Sequence, residues 1–296
     1  MALVATLIAN PSNPVLTAGL AEKAEAAIGG SGLYWLADGI AADIAIRDGI
    51  RADEAEAGLR QALAGEPIDV VVQEAELRRK KLLIADMDST MIGQECIDEL
   101  AAEVGLKDLV SAITARAMNG EIEFEPALRE RVALLKGLPT SVIAEVIEKR
   151  ITLTPGGIEL VRTMKARGYF TALVSGGFTV FTRPVAAMIG FDVNRANVLL
   201  EKDGKLIGEV SEPILGKQAK VDALVAFADM LDITPLDAIA VGDGANDLGM
   251  IQLAGCGVAL HAKPAVAAAA KMRIDFGDLT ALLYIQGYRR SDFVGT

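Results

Sequence analysis

Histidine occurs once and cysteine only twice in these 296 residues. The two thiols, Cys96 and Cys256, lie far apart, with no C-x-x-C pair and no Cys/His cluster. So sparse a set offers neither a zinc site nor a disulfide framework, and a disulfide-free cytoplasmic protein is expected. A basic excess is missing as well: 29 Lys plus Arg face 40 Asp plus Glu, a formal charge of −11. Nucleic-acid recognition needs a basic face, so DNA and RNA are not expected partners. A local cluster of donors can still hold a small anion, because net charge does not describe a site. No uncharged apolar run approaches the roughly 18 residues of a membrane span. The opening Met-Ala-Leu-Val-Ala-Thr-Leu-Ile-Ala-Asn lacks the basic head and small-residue cleavage site of a signal peptide, so no membrane partner is expected.

What is present is globular: 52% hydrophobic residues against 23% charged. The length accommodates one large domain or two modest ones at roughly 100–200 residues each. The first eighty residues predict strands at Val4–Ile8, Leu33–Leu36, Ile44–Ile46 and Ile68–Val72, with helices at Leu16–Ile28 and Glu54–Leu63. That β-α-β-β-α-β order is a ferredoxin-like α+β unit. The charged stretch Glu74–Lys81 reads as a solvated connector, dividing the chain into 1–80 and 81–296.

Beyond the connector the pattern changes to α/β. Apolar runs without alternation at Leu82–Ala85, Thr171–Val174, Ala238–Val241 and Val258–Leu260 suit parallel strands buried on both faces. Helical stretches separate them. One is expected to start with Thr154 as N-cap and Pro155 in the first turn, ending at Gly168. The alternation predicts a doubly wound parallel sheet. Two insertions interrupt it: Ile92–Thr152, with helical periodicity only, and Asn197–Ile214, whose Lys-Asp-Gly-Lys between apolar runs signals a β-hairpin.

Ligands of open parallel sheets bind beyond the carboxyl ends of the strands. Three such ends carry chemistry here: Asp86-Met87-Asp88-Ser89-Thr90, Ser175-Gly176-Gly177, and Gly242-Asp243-Gly244-Ala245-Asn246-Asp247, with Lys220 at an expected helix start. Asp86 and Asp88 are two apart, so an extended segment points both carboxylates to one side, where they repel unless a cation intervenes. A hard divalent ion such as magnesium answers that need, with Asp86, the Asp88 main-chain carbonyl and Asp243 as oxygen ligands. One magnesium and Lys220 nearly neutralise Asp86, Asp88, Asp243 and Asp247, which lets a phosphate dianion approach. Taken singly, each motif has a plainer reading. Asp-x-Asp-x-Thr also fits a polar loop or helix cap, though the calcium-loop pattern fails because Met91 and Ile97 stand where it needs Gly and Glu. Ser-Gly-Gly also fits an ordinary strand-to-helix turn, against a helix-entry loop whose amides hold phosphate. Most helical lysines simply face water.

As a set, in this order, the motifs resemble the haloacid dehalogenase (HAD) superfamily. They are closest there to the phosphoserine phosphatase family, through Ile92–Leu100, Phe124–Val132, Val174–Phe178 and the spacing from Lys220 to Asp243. The resemblance covers about 82–276. It implies Asp86 as nucleophile, Asp88 as general acid/base, and Ser175, Gly176 and Lys220 on the transferring phosphoryl group. Asp243 then ligates magnesium, Asp247 supports Lys220 or a metal-bound water, and Asn246 helps place the substrate. The helical insertion becomes a cap in which Glu95 meets the ammonium and Arg131 the carboxylate of O-phospho-L-serine, with Met118 and Phe124 as walls. The first eighty residues resemble the ACT-like domains that precede some members of this family, which makes a homodimer possible. His261, Cys96 and Cys256 are assigned no chemistry. Competing readings are a HAD phosphatase or phosphotransferase for another small phosphate, and an amino-acid sensor with a vestigial HAD domain.

Overall fold

The computed structural model describes residues 2–295. The chain begins β1 (Leu3–Ala9), α1 (Ala18–Ala27), β2 (Leu33–Ala37), β3 (Ala41–Ala45), α2 (Ala52–Ala62) and β4 (Ile68–Glu74). These strands form an antiparallel sheet in the order β2-β3-β1-β4. Ala5, Leu7, Ile44 and Val70 face α1 and α2, where Ala21, Ala24, Ala55 and Leu59 complete a small core. The third strand lies earlier than the expected Ile44–Ile46, because Ala41, Ala42 and the buried Asp43 carry little apolar signal. Thr17, rather than Leu16, starts α1, and its hydroxyl accepts the Leu20 N–H.

The opposite face of this sheet is not exposed. Ile8, Leu36, Ala41 and Val71 join the same apolar cluster as Leu282 and Leu283 near the C-terminus. Asp69 on β4 accepts N–H bonds from Asp275 (2.7 Å) and Gly277 (2.7 Å). The expectation of a solvated connector at 74–81 holds only in part, since Glu76, Leu77, Arg79 and Lys81 are exposed but neighbouring cations have partners in the fold. Arg78 pairs with Asp43 at 2.7 Å, Arg79 stacks 3.6 Å from the Tyr288 ring centre, and the buried Lys80 ammonium donates to Leu236 O at 2.8 Å. Arg78 and Lys80 thus anchor the stretch to the rest of the fold, while Arg79 makes its stacking contact at the surface.

After β5 (Leu82–Ala85) come four helices, α3 (Cys96–Ala102), α4 (Lys107–Met118), α5 (Phe124–Ala133) and α6 (Ser141–Arg150). An isolated bridge between Ile92 and Leu153 ties the two stems of this segment together. The chain continues through α7 (Gly157–Ala166), β6 (Phe170–Phe178), α8 (Thr179–Ile189), β7 (Val193–Asn197), the paired β8 (Leu199–Lys202) and β9 (Lys205–Val210), and α9 (Lys217–Met230). It closes with β10 (Ala238–Gly242), α10 (Leu248–Leu253), β11 (Cys256–Leu260), α11 (Pro264–Ala269), β12 (Met272–Ile274) and α12 (Ala281–Ile285).

The larger sheet is parallel, in the order β12-β11-β10-β5-β6-β7. Leu82 and Ile84 face a cluster with Ala223, Leu224 and Phe227 of α9, whereas Leu83 and Ala85 face α7, α8 and the C-terminal helix. Burial on both faces is why this strand reads as an unbroken apolar run. Strand order reverses at β5, so the crevice beyond its carboxyl end is where such a sheet binds ligands.

Two local expectations shift. Helix α7 starts at Gly157 rather than at Thr154–Pro155: the Thr154 N–H bonds back to Met91 O, and Gly156 turns at φ 81° directly beneath Thr280. Asn197 ends β7 instead of opening the hairpin, and its amide bridges Gly176 O (2.8 Å) and the Leu215 backbone.

Candidate active site

The carboxyl ends of β5, β6 and β10 bring the three motifs together. Asp86 continues β5 by donating its N–H to Val241 O. Its side chain receives the Met87 N–H at 2.8 Å and the Lys220 ammonium at 2.6 Å. Lys220 sits in the first turn of α9, is 1% exposed, and also pairs with Asp247 at 2.5 Å. It does not face water as most helical lysines do. Burial alone would lower the pKa of this ammonium, but the carboxylates of Asp247 and Asp86 outweigh that and raise it. Asp247 spends its other oxygen on the Gly244 N–H at 3.0 Å.

Asp243 is the acid left over. One oxygen accepts from Thr90 Oγ1 at 3.3 Å, while the other, fully buried, accepts no hydrogen bond. Lys263, which no strand-end motif contains, lies 3.5 Å from that oxygen. Oxygens of Asp86, Asp243 and Asp247 lie within 4.8 Å of one another. Burial, then the charge of Asp247, pushes Asp243 up to about 6. Burial, then Asp247, also raises Asp86 well above the usual carboxylate range, with Lys220 opposing. A crowded, oxygen-only acid cluster with one orphaned oxygen fits a hard divalent cation. Asp247 is the least free to serve, since both its oxygens are engaged.

Asp88 stands apart from this cluster. Its Oδ1 accepts the Cys96 N–H at the start of α3 (3.1 Å), and its Oδ2 lies 3.5 Å from Ser175 Oγ. Burial raises its pKa, and the Cys96 thiol and N–H oppose that shift. Ser175, Gly176 and Gly177 are not the helix-entry loop expected from their sequence. Strand β6 runs through them to Phe178, its pairing with β7 irregular after Val174, and α8 starts only at Thr179. A Cβ on Gly177 would lie 2.6 Å from Asp88 Oδ2 and 3.1 Å from Ser175 Oγ. Gly177→Ala is therefore expected to displace the Asp88 carboxyl and lower kcat by about 10- to 100-fold with little change in folding cooperativity, as steady-state kinetics and a melting curve will show.

Glu95 and Arg131 line the same cavity as Asp86, Asp88, Ser175, Gly176 and Asn246. Glu95 precedes α3, accepts Ser89 Oγ at 2.7 Å, and has a raised pKa from burial and from Asp88. Ser89 adopts φ 54°, a left-handed conformation that turns its hydroxyl toward Glu95. Arg131 is 5% exposed on α5, donating to Ala127 O (3.0 Å) and Thr114 Oγ1 (2.9 Å). Met118 and Phe124 line the cavity too, and Met118 O accepts the Ala245 N–H at 3.1 Å, fastening the helical segment to the loop after β10. Asn246 Oδ1 is buried without a partner. The sequence motifs did not expose Ser89, Thr90, Thr114 or Lys263 as site residues. Ser89 and Thr90 belong to the Asp-x-Asp-x-Thr segment and Lys263 lies just past β11, but no sequence pattern marks Thr114.

The remaining reactive types lie elsewhere. His261 meets Gly277 O at 2.9 Å, and Cys256 is fully buried beside Met272. No helix among the described residues is long and apolar enough to cross a membrane.

Comparison with known proteins agrees with this geometry. The model of the haloacid dehalogenase-like hydrolase family matches residues 83–252. Phosphoserine phosphatase of Methanocaldococcus jannaschii is 43% identical over 206 residues, covering 70% of this chain and 97% of that protein. Phosphoserine phosphatase of Streptomyces coelicolor is 42% identical over 240 residues, covering 79% of this chain but only 58% of that longer protein. A solved HAD family hydrolase from Salmonella enterica superposes with a TM-score of 0.84 at 29% identity, covering 96% of this chain and 98% of that one. The chain belongs to the haloacid dehalogenase-like hydrolases, in their phosphoserine phosphatase branch.

Proposed function

We propose that this protein is a magnesium-dependent phosphatase that hydrolyses O-phospho-L-serine to L-serine and phosphate, the last step of serine biosynthesis. The observation that carries the reading is a single cavity lined by Asp86, Asp88 and Ser175 together with a half-buried acid, Glu95, and a buried guanidinium, Arg131. Phosphoserine presents the complementary groups: a phosphate, an ammonium and a carboxylate.

In this reading the Asp86 carboxylate attacks phosphorus and the bond to the serine oxygen breaks, leaving an aspartyl-phosphate. Asp88 gives its proton to the departing alkoxide, which its raised pKa favours, and then takes one from the water that attacks the intermediate at phosphorus. Lys220, Ser175 and the Gly176 N–H stabilise charge on the transferring phosphoryl, while Asp247 holds Lys220 in place. Asn246 places the substrate. Glu95 takes the ammonium, and Arg131 offers its planar fork to the carboxylate. Asp86, Asp243 and the Asp88 main-chain carbonyl would hold magnesium, which neutralises negative charge between the acids and the phosphoryl oxygens. The helical segment 92–152 serves as a cap that excludes water, with the hairpin of 197–214 beside it. Residues 1–80 are read as an ACT-like, ferredoxin-like unit before a phosphatase unit of 81–296, and as a surface through which two copies can pair.

Phosphate release from phosphoserine and from a panel of sugar phosphates, with and without chelator, tests the proposal. Phosphoserine should exceed every sugar phosphate, and chelation should lower the rate by at least about 100-fold, reversibly with magnesium. Equal turnover of sugar phosphates, or an unchanged rate under exhaustive chelation, would sink it. A pH dependence follows from Asp243. Its folded pKa of about 6 lies above the usual value, so protons bind the metal-free site more tightly than an ordinary carboxylate. Below about pH 6 they compete with the cation, and the magnesium concentration for half-activation should rise as pH falls through that value.

A further inference from the structure

Arg131 is buried yet has no carboxylate within ion-pair distance among the described residues. What orients it is a relay of another kind. The Thr114 hydroxyl accepts from Arg131 Nη1 at 2.9 Å and lies 2.7 Å from Asp98 Oδ1, to which it donates. The same hydroxyl is 3.0 Å from Val110 O, but it has a single proton, and the closer, charged acceptor is the better partner. Asp98 is fixed from a second side by Ser111 Oγ at 2.7 Å. The Nε proton of Arg131 goes to Ala127 O at 3.0 Å. Of the five guanidinium N–H groups, two are thus engaged, leaving three for the cavity that Arg131 lines.

We propose that Thr114, backed by Asp98, is a positioning residue that sets the substrate specificity of this site by holding the Arg131 fork toward the carboxylate of an α-amino acid phosphate. The inference rests on the reading of Arg131 as carboxylate binder given above. The arrangement has a physical logic. A carboxylate paired directly with Arg131 would occupy the fork and compete with the incoming ligand. A hydroxyl between Arg131 and Asp98 leaves the fork free, while Asp98 still lends negative potential that helps keep a buried guanidinium charged. Burial lowers the Arg131 pKa, and Glu95 and Asp98 oppose that loss. Both Thr114 and Asp98 are themselves buried, which keeps this relay out of bulk water.

Thr114→Val keeps the shape and removes the hydroxyl. It is expected to raise KM for phosphoserine about tenfold or more, since a hydrogen bond to a charged group is lost, while kcat falls less than about threefold. Phosphoethanolamine, which keeps the ammonium and phosphate but lacks the carboxylate, supplies the control. Its kcat/KM, or its inhibition constant against phosphoserine where turnover is too slow to follow, should change by less than about twofold. Thr114→Ser should restore the phosphoserine KM to within about threefold. An unchanged phosphoserine KM in Thr114→Val, or equal losses for both ligands, overturns the inference. So does a Thr114→Ser variant that melts like the parent yet fails to rescue. Arg131→Ala assayed alongside separates the two levels. If it too leaves discrimination between the two ligands unchanged, the carboxylate reading of Arg131 fails. If it abolishes discrimination while Thr114→Val does not weaken it, only the positioning role fails.

Discussion

Asp86→Asn is expected to lower phosphoserine turnover by at least about 10⁴-fold, because a neutral amide cannot attack phosphorus and the loss of a covalent nucleophile removes the whole route. The same substitution should not unfold the protein. Asp86, Asp243 and Asp247 crowd together around a buried site where the Lys220 ammonium pairs with only two of them, and burial and mutual repulsion already raise Asp86 well above its ordinary range. Removing one negative charge relieves part of that repulsion, while the amide oxygen still accepts from Lys220. The metal-free variant should therefore melt at or above the temperature of the metal-free parent, and magnesium should raise it less than it raises the parent. Calorimetry with and without magnesium, paired with an activity assay, reads both effects. A variant that is inactive only because it is unfolded would leave the role of Asp86 unsupported.

Lys220→Ala has the opposite stability signature. The ammonium is 1% exposed and bridges Asp86 and Asp247, so its removal strands two buried carboxylates. Breaking such a pair from one side costs about 3–5 kcal/mol. Activity should fall at least about 10³-fold, since the cation proposed to stabilise the transferring phosphoryl is gone and Asp247 loses its partner. Magnesium should recover part of the stability, by supplying positive charge to the same acids, without recovering the rate. An unchanged melting temperature in the metal-free variant would mean that Lys220 is not the counter-charge of this cluster.

The parts of the fold that were legible in sequence are those whose burial is symmetrical. Leu82–Ala85 and Ala238–Val241 are covered on both faces and read as unbroken apolar runs. Edge strands were not legible: β7 carries Asn194 and Arg195, and β12 has only three residues. Nor could composition reveal that Arg78, Arg79 and Lys80 are held by Asp43, Tyr288 and Leu236, residues distant in sequence. The chemical end of the site was readable because strand ends and acid spacing are local facts. Its supporting layer was not. Thr114 looks like any helical threonine until α3, α4 and α5 bring Asp98 and Arg131 to its hydroxyl. Ser175–Gly177 misled for a related reason: glycines that usually mark a turn here let a strand pass close to Asp88 and Phe124.

Covalent transfer to Asp86 is the central claim, and the phosphoenzyme itself tests it most directly. Acid quenching of the magnesium-loaded enzyme in mid-turnover with phosphoserine, followed by peptide mass spectrometry, locates any trapped phosphoryl group. The account predicts one hydroxylamine-labile acyl-phosphate, on the peptide carrying Asp86 and absent from Asp86→Asn. A phosphoryl group on any other residue, or hydrolysis with net inversion at phosphorus, would contradict it.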